Sequence, residues 1–263
     1  VCGSGLKAVM LAAQAIQTDN AEIIVAGGQE SMSNTPYILD KARNGYRLGN
    51  GEVIDSLVKD GLWDVYNNIH MGNCAEACAK EFKFTREELD EFAVNSYKKA
   101  LEAQKSGRFK DEIIDVKVKA GREEVIVNSD EEPGKVKFDK IPALKPVFDK
   151  NGVVTAANAS SINDGAAALL IMSEEKAKEL GLKPLVEIVA QSSAAKAPMQ
   201  FTTAPADAIN KVVERANLKI SDIDLFEINE AFAVVSLANN KLLGLDNSKV
   251  NVNGGAVALG HPI

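Results

Sequence analysis

Val1-Cys2-Gly3-Ser4-Gly5-Leu6-Lys7-Ala8-Val9 opens the chain, a continuing run to Ile16 extends it, and Ala21-Glu22-Ile23-Ile24-Val25-Ala26-Gly27-Gly28 follows. Leu6 to Ile16 is apolar nearly all round, which predicts a buried helix. Residues 21–28 form a short β-branched run closed by glycines, which predicts a buried strand. Helix then strand is the grammar of a layered α/β fold. Cys2 stands at the helix N-terminus, where the dipole and unpaired N–H groups favour a thiolate. Gly3 and Gly5 let another group come close to the sulfur. A small buried core cysteine is the competing reading, and this stretch alone leaves both open.

The chain's 263 residues are 46% hydrophobic and 25% charged, enough for a sizeable core in one large or two ordinary domains. A net charge of −7 counts against general nucleic-acid binding, which needs a basic face. It leaves room for a local lysine pocket that holds a small anionic ligand. Three cysteines are too few for a disulfide framework, so a reducing compartment is expected: the cytoplasm, or the mitochondrial matrix in a eukaryote. No signal-peptide pattern and no run of ~18 apolar residues is found, so no membrane partner is expected. Opening at Val-Cys without methionine and stopping at His-Pro-Ile, the sequence reads as an internal piece of a longer protein.

Residues 29–50 read as loop. A helical pattern covers 71–82, and Thr85 with Glu88 forms a capping box for a second helix to Lys105, closed by Gly107. His70, Cys74 and Cys78 recur at i, i+4 and i+8, but closely paired ligands and a fourth ligand are lacking. Core cysteines are therefore favoured over a metal site, and no metal is expected. Two strands are predicted within 112–128. Lys135, Lys137, Lys140 and Lys145 then recur within a dozen residues; a solvated face is the ordinary reading and a phosphate patch the minority one. Thr155 to Gly165 is small, polar and tightly turned, and it runs into a buried strand at 166–172. A helix capped by Ser173 and a strand at 185–189 come next. A helix at 205–216, a strand at 224–228, a helix from about 230 and a strand at 249–252 complete the order.

Asn229-Glu230-Ala231-Phe232-Ala233 falls at a strand-to-helix junction, where α/β folds place ligand-facing groups, although Asn229 would also serve as a plain N-cap. Asn253-Gly254-Gly255-Ala256-Val257-Ala258-Leu259-Gly260-His261-Pro262 holds one histidine on a backbone with little else to offer, which favours function for His261.

These stretches, with Gly27-Gly-Gln-Glu-Ser-Met-Ser, His70-Met-Gly, Asn158-Ala-Ser and Asn163-Asp-Gly-Ala-Ala, resemble the thiolase family in order and along essentially the whole chain. Within it they are most similar to the acetyl-CoA C-acetyltransferase (acetoacetyl-CoA thiolase) branch. The resemblance implies two βαβαβαββ halves in an αβαβα layering with an inserted loop domain. Residues 1–30 would belong to the N-terminal half, 31–150 to the loop domain and the return to that half, and 151–263 to the C-terminal half. It implies a homodimer or homotetramer, with coenzyme A as substrate rather than bound cofactor.

On the matching positions, Cys2 is the implied nucleophile, His261 its activating base and Asn229 the holder of a catalytic water. Ser160, Leu62, His70, Met71, Ala231 and Phe232 are implied contacts to the pantetheine arm and acyl group. A coenzyme A ligand raises Lys135 and Lys137 to candidates for its nucleotide end. The implied reaction is reversible Claisen condensation of two acetyl-CoA through an acetyl-cysteine. A longer-chain 3-ketoacyl-CoA thiolase and a non-catalytic acyl-CoA-binding relative are the alternatives. The family's second catalytic cysteine, downstream of the His-Pro motif, would lie outside these residues. Pro133 stands where potassium-binding relatives carry tyrosine, which counts against a potassium site.

Overall fold

The structure, a computed structural model, describes residues 2–263. Its elements are, in chain order, α1 (Ser4–Gln17), β1 (Ile23–Ser31), β2 (Tyr37–Ile38), β3 (Ile54–Asp55), β4 (Trp63–Asp64), β5 (Ile69–His70), α2 (Met71–Phe82) and α3 (Arg86–Lys105). There follow β6 (Val116–Ala120), β7 (Glu123–Val127), α4 (Glu132–Lys135), β8 (Asp164–Met172), α5 (Glu174–Glu179), α6 (Ala204–Arg215), α7 (Ala233–Leu243) and α8 (Ala256–Leu259). β1 pairs with β8 antiparallel over its full length, from Ile23 opposite Met172 to Ser31 opposite Asp164. The short ribbons β2–β3, β4–β5 and β6–β7 fall within the segment predicted as a loop domain.

Local chemistry explains the long helices. Thr85 and Glu88 form the expected capping box: the Glu88 N–H donates to Thr85 Oγ1 at 3.2 Å, and Thr85 N–H donates to Glu88 Oε2 at 2.7 Å. α2 ends at Lys83 in a left-handed conformation, and α7 ends at Gly244 in the same way. α2, α3 and α7 bury one shared core that includes Ala75, Leu89, Val154, Phe232 and Val234. A second cluster joins α3 to α8 through Ala93, Ala100, Val257 and Ala258.

Five predictions are corrected. The strands expected to be buried at 21–28 and 166–172 are largely exposed, Val25 by 71% and Leu170 by 59%, because among the described residues each pairs only with the other and carries α1 on one side. α1 is not buried all round: only Ala12 and Ala13 are covered, and Leu6 is 70% exposed. Its packing partners are β1 and β8, which cover one stripe of a helix that is apolar on every side. The segment 185–189 forms no strand, and Leu185 is 97% exposed. β-branched composition alone does not make a strand; a neighbour must satisfy its backbone groups, and among the described residues none lies alongside. The segments 224–228 and 249–252 meet only through one parallel bridge, Phe226 with Val250. Finally, the helix expected from 230 starts at Ala233, so Asn229 is not its cap.

Candidate active site

The segment from Phe226 to Glu230 is extended, and its burial alternates: Phe226, Ile228 and Glu230 point inward, Glu227 and Asn229 outward. Period two is the consequence of extended backbone. The Asn251 side chain clasps the segment from inside. Its Oδ1 accepts from Ile228 N–H and its Nδ2 donates to Ile228 O, both at 2.8 Å. Asn229 is thereby presented on the outer face, and its Nδ2 lies 3.1 Å from His261 Nε2. An amide N–H can only donate, so Nε2 accepts here and the ring proton sits on Nδ1. Partial burial holds the His261 pKa below its ordinary value, in keeping with a neutral ring.

Residues 158–161 lace this turn to the histidine. Ala233 N–H donates to Asn158 O at 2.8 Å, Ser160 N–H and Oγ donate to Ala231 O at 3.1 and 2.8 Å, and His261 N–H donates to Ser161 O at 3.0 Å. The small residues of this stretch allow three backbones to run side by side.

The register of the ribbon sets the end at which the Cys2 turn stands. α1 runs antiparallel to β1, with Gly5 against Gly28, so the helix start stands over the end of β1. That end of the ribbon carries the start of β8, where Gly165 meets the ring of Pro262, the residue after His261. Cys2 is a free cysteine. Desolvation of its thiol raises its pKa, contrary to the thiolate expected from the helix terminus. A raised thiol pKa means that a base must take its proton.

A second group of predicted residues assembles on the other side of Phe232. His70 caps α2, accepting the Gly72 N–H on Nδ1 at 2.9 Å, which leaves Nε2–H as its donor. It therefore stands outside the helix and not on a face with Cys74 and Cys78, which are buried in the core. Met71 N–H donates to Leu62 O at 2.9 Å, and Gly61 rests against Ile263. His70 stacks on Phe148 at 4.8 Å between ring centroids, and Phe148 meets Phe232 edge-on at 6.2 Å. Sequence reasoning missed Phe148: an aromatic in a loop carries no periodic signal. Ala231 and Phe232 are buried and link the two groups.

The lysine candidates stand apart from these contacts. Lys135 pairs with Glu131 at 3.0 Å and Glu132 at 2.6 Å, partners already visible one helical turn away, and Lys137 is exposed. Among the described residues, no group of three or more His, Cys, Asp or Glu side chains gathers as metal ligands would. Among the described residues, no helix is long and apolar enough to cross a membrane.

Comparison with known proteins gives the family. The thiolase N-terminal domain family matches residues 1–175 and the thiolase C-terminal domain family residues 182–263. Acetyl-CoA acetyltransferase of Yarrowia lipolytica is 56% identical over 263 residues, covering 100% of this chain and 66% of that protein. The mitochondrial acetyl-CoA acetyltransferase of Bos taurus is 52% identical over 265 residues, covering 100% and 62%. The chain thus spans somewhat under two thirds of the length of these relatives. Among solved structures, the Bacillus anthracis acetyl-CoA acetyltransferase superposes with a TM-score of 0.96 at 47% identity, covering 100% of this chain and 66% of that one. A thiolase from Ascaris suum, solved in complex with coenzyme A, gives 0.93 at 44%, covering 100% and 67%. The α/β fold is that of these structures, and both family matches together run nearly end to end: the chain belongs to the thiolase family.

Proposed function

We propose that the protein carrying this chain is an acetyl-CoA C-acetyltransferase, which condenses two acetyl-CoA to acetoacetyl-CoA and coenzyme A and runs the cleavage in reverse. The observation that carries this reading is the Asn229–His261 pair, 3.1 Å apart at the same end of the β1–β8 ribbon as the Cys2 turn. The names of the relatives support it. His261 Nε2 takes the Cys2 proton, and Sγ attacks the acetyl carbonyl. The imidazolium N–H and the Asn229 amide stabilise the oxyanion, directly or through a water. When the tetrahedral intermediate collapses, the bond to coenzyme A sulfur breaks and the imidazolium returns its proton to that leaving thiolate. Acetyl-Cys2 remains. A second acetyl-CoA then loses a methyl proton, a role that the thiolase resemblance gives to a cysteine downstream of the His-Pro motif. Its carbanion attacks acetyl-Cys2 and releases the thiolate.

Leu62, His70, Met71, Ser160, Ala231 and Phe232 hold the pantetheine arm and acyl group in this reading, with Phe148 backing His70. Lys135 and Lys137 meet the nucleotide end; the Lys135 pairs are exposed to water, so they are weak and exchange readily for phosphate. Coenzyme A is substrate and product, no resident cofactor or metal is invoked, and the assembly is a homodimer or homotetramer. A reducing compartment, cytoplasm or mitochondrial matrix, suits the free thiol.

The test is mass spectrometry of the complete polypeptide after incubation with acetyl-CoA. An acetyl group is expected on Cys2 and none on the Cys2→Ser variant. A Cys2 that stays unmodified at saturating acetyl-CoA overturns the reading. In the same preparation, Lys135→Gln with Lys137→Gln should raise the KM for acetyl-CoA far more than for acetyl-pantetheine. Equal effects would remove both lysines from the nucleotide site.

A further inference from the structure

Glu230 sits between the outward Asn229 and the buried Ala231, and only 1% of it is exposed. Burying a carboxyl is costly unless its oxygens are satisfied. Here Oε2 accepts from Ser96 Oγ at 2.7 Å and from Val257 N–H at 3.2 Å, and Oε1 accepts from Asn251 Nδ2 at 2.8 Å. Ser96 Oγ in turn accepts from Gly255 N–H at 3.1 Å. Among the described residues no ammonium or guanidinium pairs with the carboxyl, so its oxygens serve as acceptors for the chain around it and not as half of an ion pair.

The donors come from segments that carry the catalytic candidates. Asn251 is the residue that clasps Ile228, immediately before Asn229. Val257 belongs to α8, the single turn that leads through Gly260 to His261. Ser96 fixes both to α3, the long capped helix of the core. Gly255 completes the fit, because a Cβ there would run into the Glu230 carboxyl. The path Glu230–Val257–His261–Asn229 therefore closes on itself, with hydrogen bonds at two of its corners.

Resting on the proposed acyl transfer, we propose that Glu230 is a positioning residue: its carboxyl locks the Asn229 turn and the 251–260 loop into one rigid unit, and so sets the distance and angle of the Asn229–His261 pair. Its carboxyl is the link that runs directly from the Asn229 turn to α8; the other ties are the Asn251 clasp on Ile228, the lacing by residues 158–161 and the pair itself. Misplacement of a reacting pair by about 1 Å costs on the order of 10²-fold in rate.

The test uses the complete polypeptide and two readouts: single-turnover acetylation of Cys2 by acetyl-CoA, and the pH profile of Cys2 alkylation by iodoacetamide, which needs no substrate. Glu230→Gln, which sets an amide N–H against one of the donors, should slow acetylation about 10–100-fold with little change in KM. It should move the alkylation profile toward that of His261→Ala. Gly255→Ala, which crowds the carboxyl without touching its chemistry, should do the same to a smaller degree. The double variant Glu230→Gln with His261→Ala should be no slower than His261→Ala alone, since residues acting as one unit are not additive. Full additivity, or a wild-type alkylation profile in Glu230→Gln, overturns the proposal. Should Glu230→Gln fail to fold, Gly255→Ala and Ser96→Ala provide the same two readouts. Failure of the wild type to be acetylated would defeat the acyl-transfer reading instead, and the alkylation profiles would still decide the role of Glu230.

Discussion

Asn158 is fully buried, and its side chain ties the strand-like stretch before Ser160 to α3. Its Oδ1 accepts from Thr155 N–H at 2.8 Å, and its Nδ2 donates to Asp90 Oδ1 at 2.9 Å and to Val153 O at 3.0 Å. Asp90 Oδ2 is held by Arg86 Nε at 2.7 Å, and the same guanidinium donates to Ile141 O and Leu144 O. One amide therefore anchors the path from α3 through residues 141–158 to the site. Asn158→Ala strands the N–H of the fully buried Thr155 and removes a donor from Asp90, which keeps Arg86. Each of these two buried groups costs about 1–3 kcal/mol, so the sum comes to about 2–6 kcal/mol. For a protein of this size that is a fall in Tm of roughly 4–24 °C.

Asn158→Asp separates the hydrogen-bond account from a packing account, because it keeps the shape and replaces the donor by a second carboxylate facing Asp90. Like charges at hydrogen-bond distance cannot both be ionised without cost, so the pair's pKa in the folded state rises above the unfolded value. A raised carboxyl pKa makes the protonated pair favourable below the unfolded value of about 4 and costs stability as pH rises past it. Asn158→Asp should thus be at least as unstable as Asn158→Ala at pH 7.5 and should close the gap toward pH 4. Thermal denaturation of both variants at the two pH values is the assay. A loss below about 3 °C for Asn158→Ala, or an aspartate variant indistinguishable from wild type at pH 7.5, would refute the reasoning.

Two further outcomes are expected. His261 and His70 are both held below their ordinary value of 6.5 by burial, so near pH 7 His261 can accept the Cys2 proton. Below pH 6.5 the unfolded chain takes up protons that the folded chain refuses, so Tm should fall on acidification and His70→Asn should blunt the fall; a Tm that rises between pH 6.5 and 5 would contradict the burial of both rings. Gly72→Ala sets a methyl into the Phe148 ring, so it should displace Phe148 from His70, cost about 1–3 kcal/mol by overpacking and raise the KM for acetyl-CoA. An unchanged KM in a folded Gly72→Ala protein would separate the Phe148–His70 stack from substrate binding.

Sequence alone determined the capped helices of this protein and the identity of its candidate chemistry. The Thr85–Glu88 box and the Ser173 cap act within one turn, so residue types a few positions apart suffice to place them, whereas α4 and α8 carried no such signal. Cys2 stood out beside two glycines at a helix start, Asn229 at a strand-to-helix junction, and His261 among small residues that offer little else. Tertiary structure decided what depends on partners distant in the chain. Residues 185–189 have strand composition but no neighbour, while 23–31 and 164–172, about 140 residues apart, found each other. Burial of α1 likewise depended on what packs against it and not on its own hydrophobicity. Asn229 looked like a helix cap until α7 began four residues later and left its amide facing His261. Glu230 is the clearest case. In sequence it is one acidic residue among 37, and a glutamate is ordinarily a surface group. Only the convergence of α3, the residue 251 turn and α8 on one point makes it a buried carboxyl with every oxygen engaged, because burial and its compensation are properties of the space around a side chain and not of its neighbours in the chain.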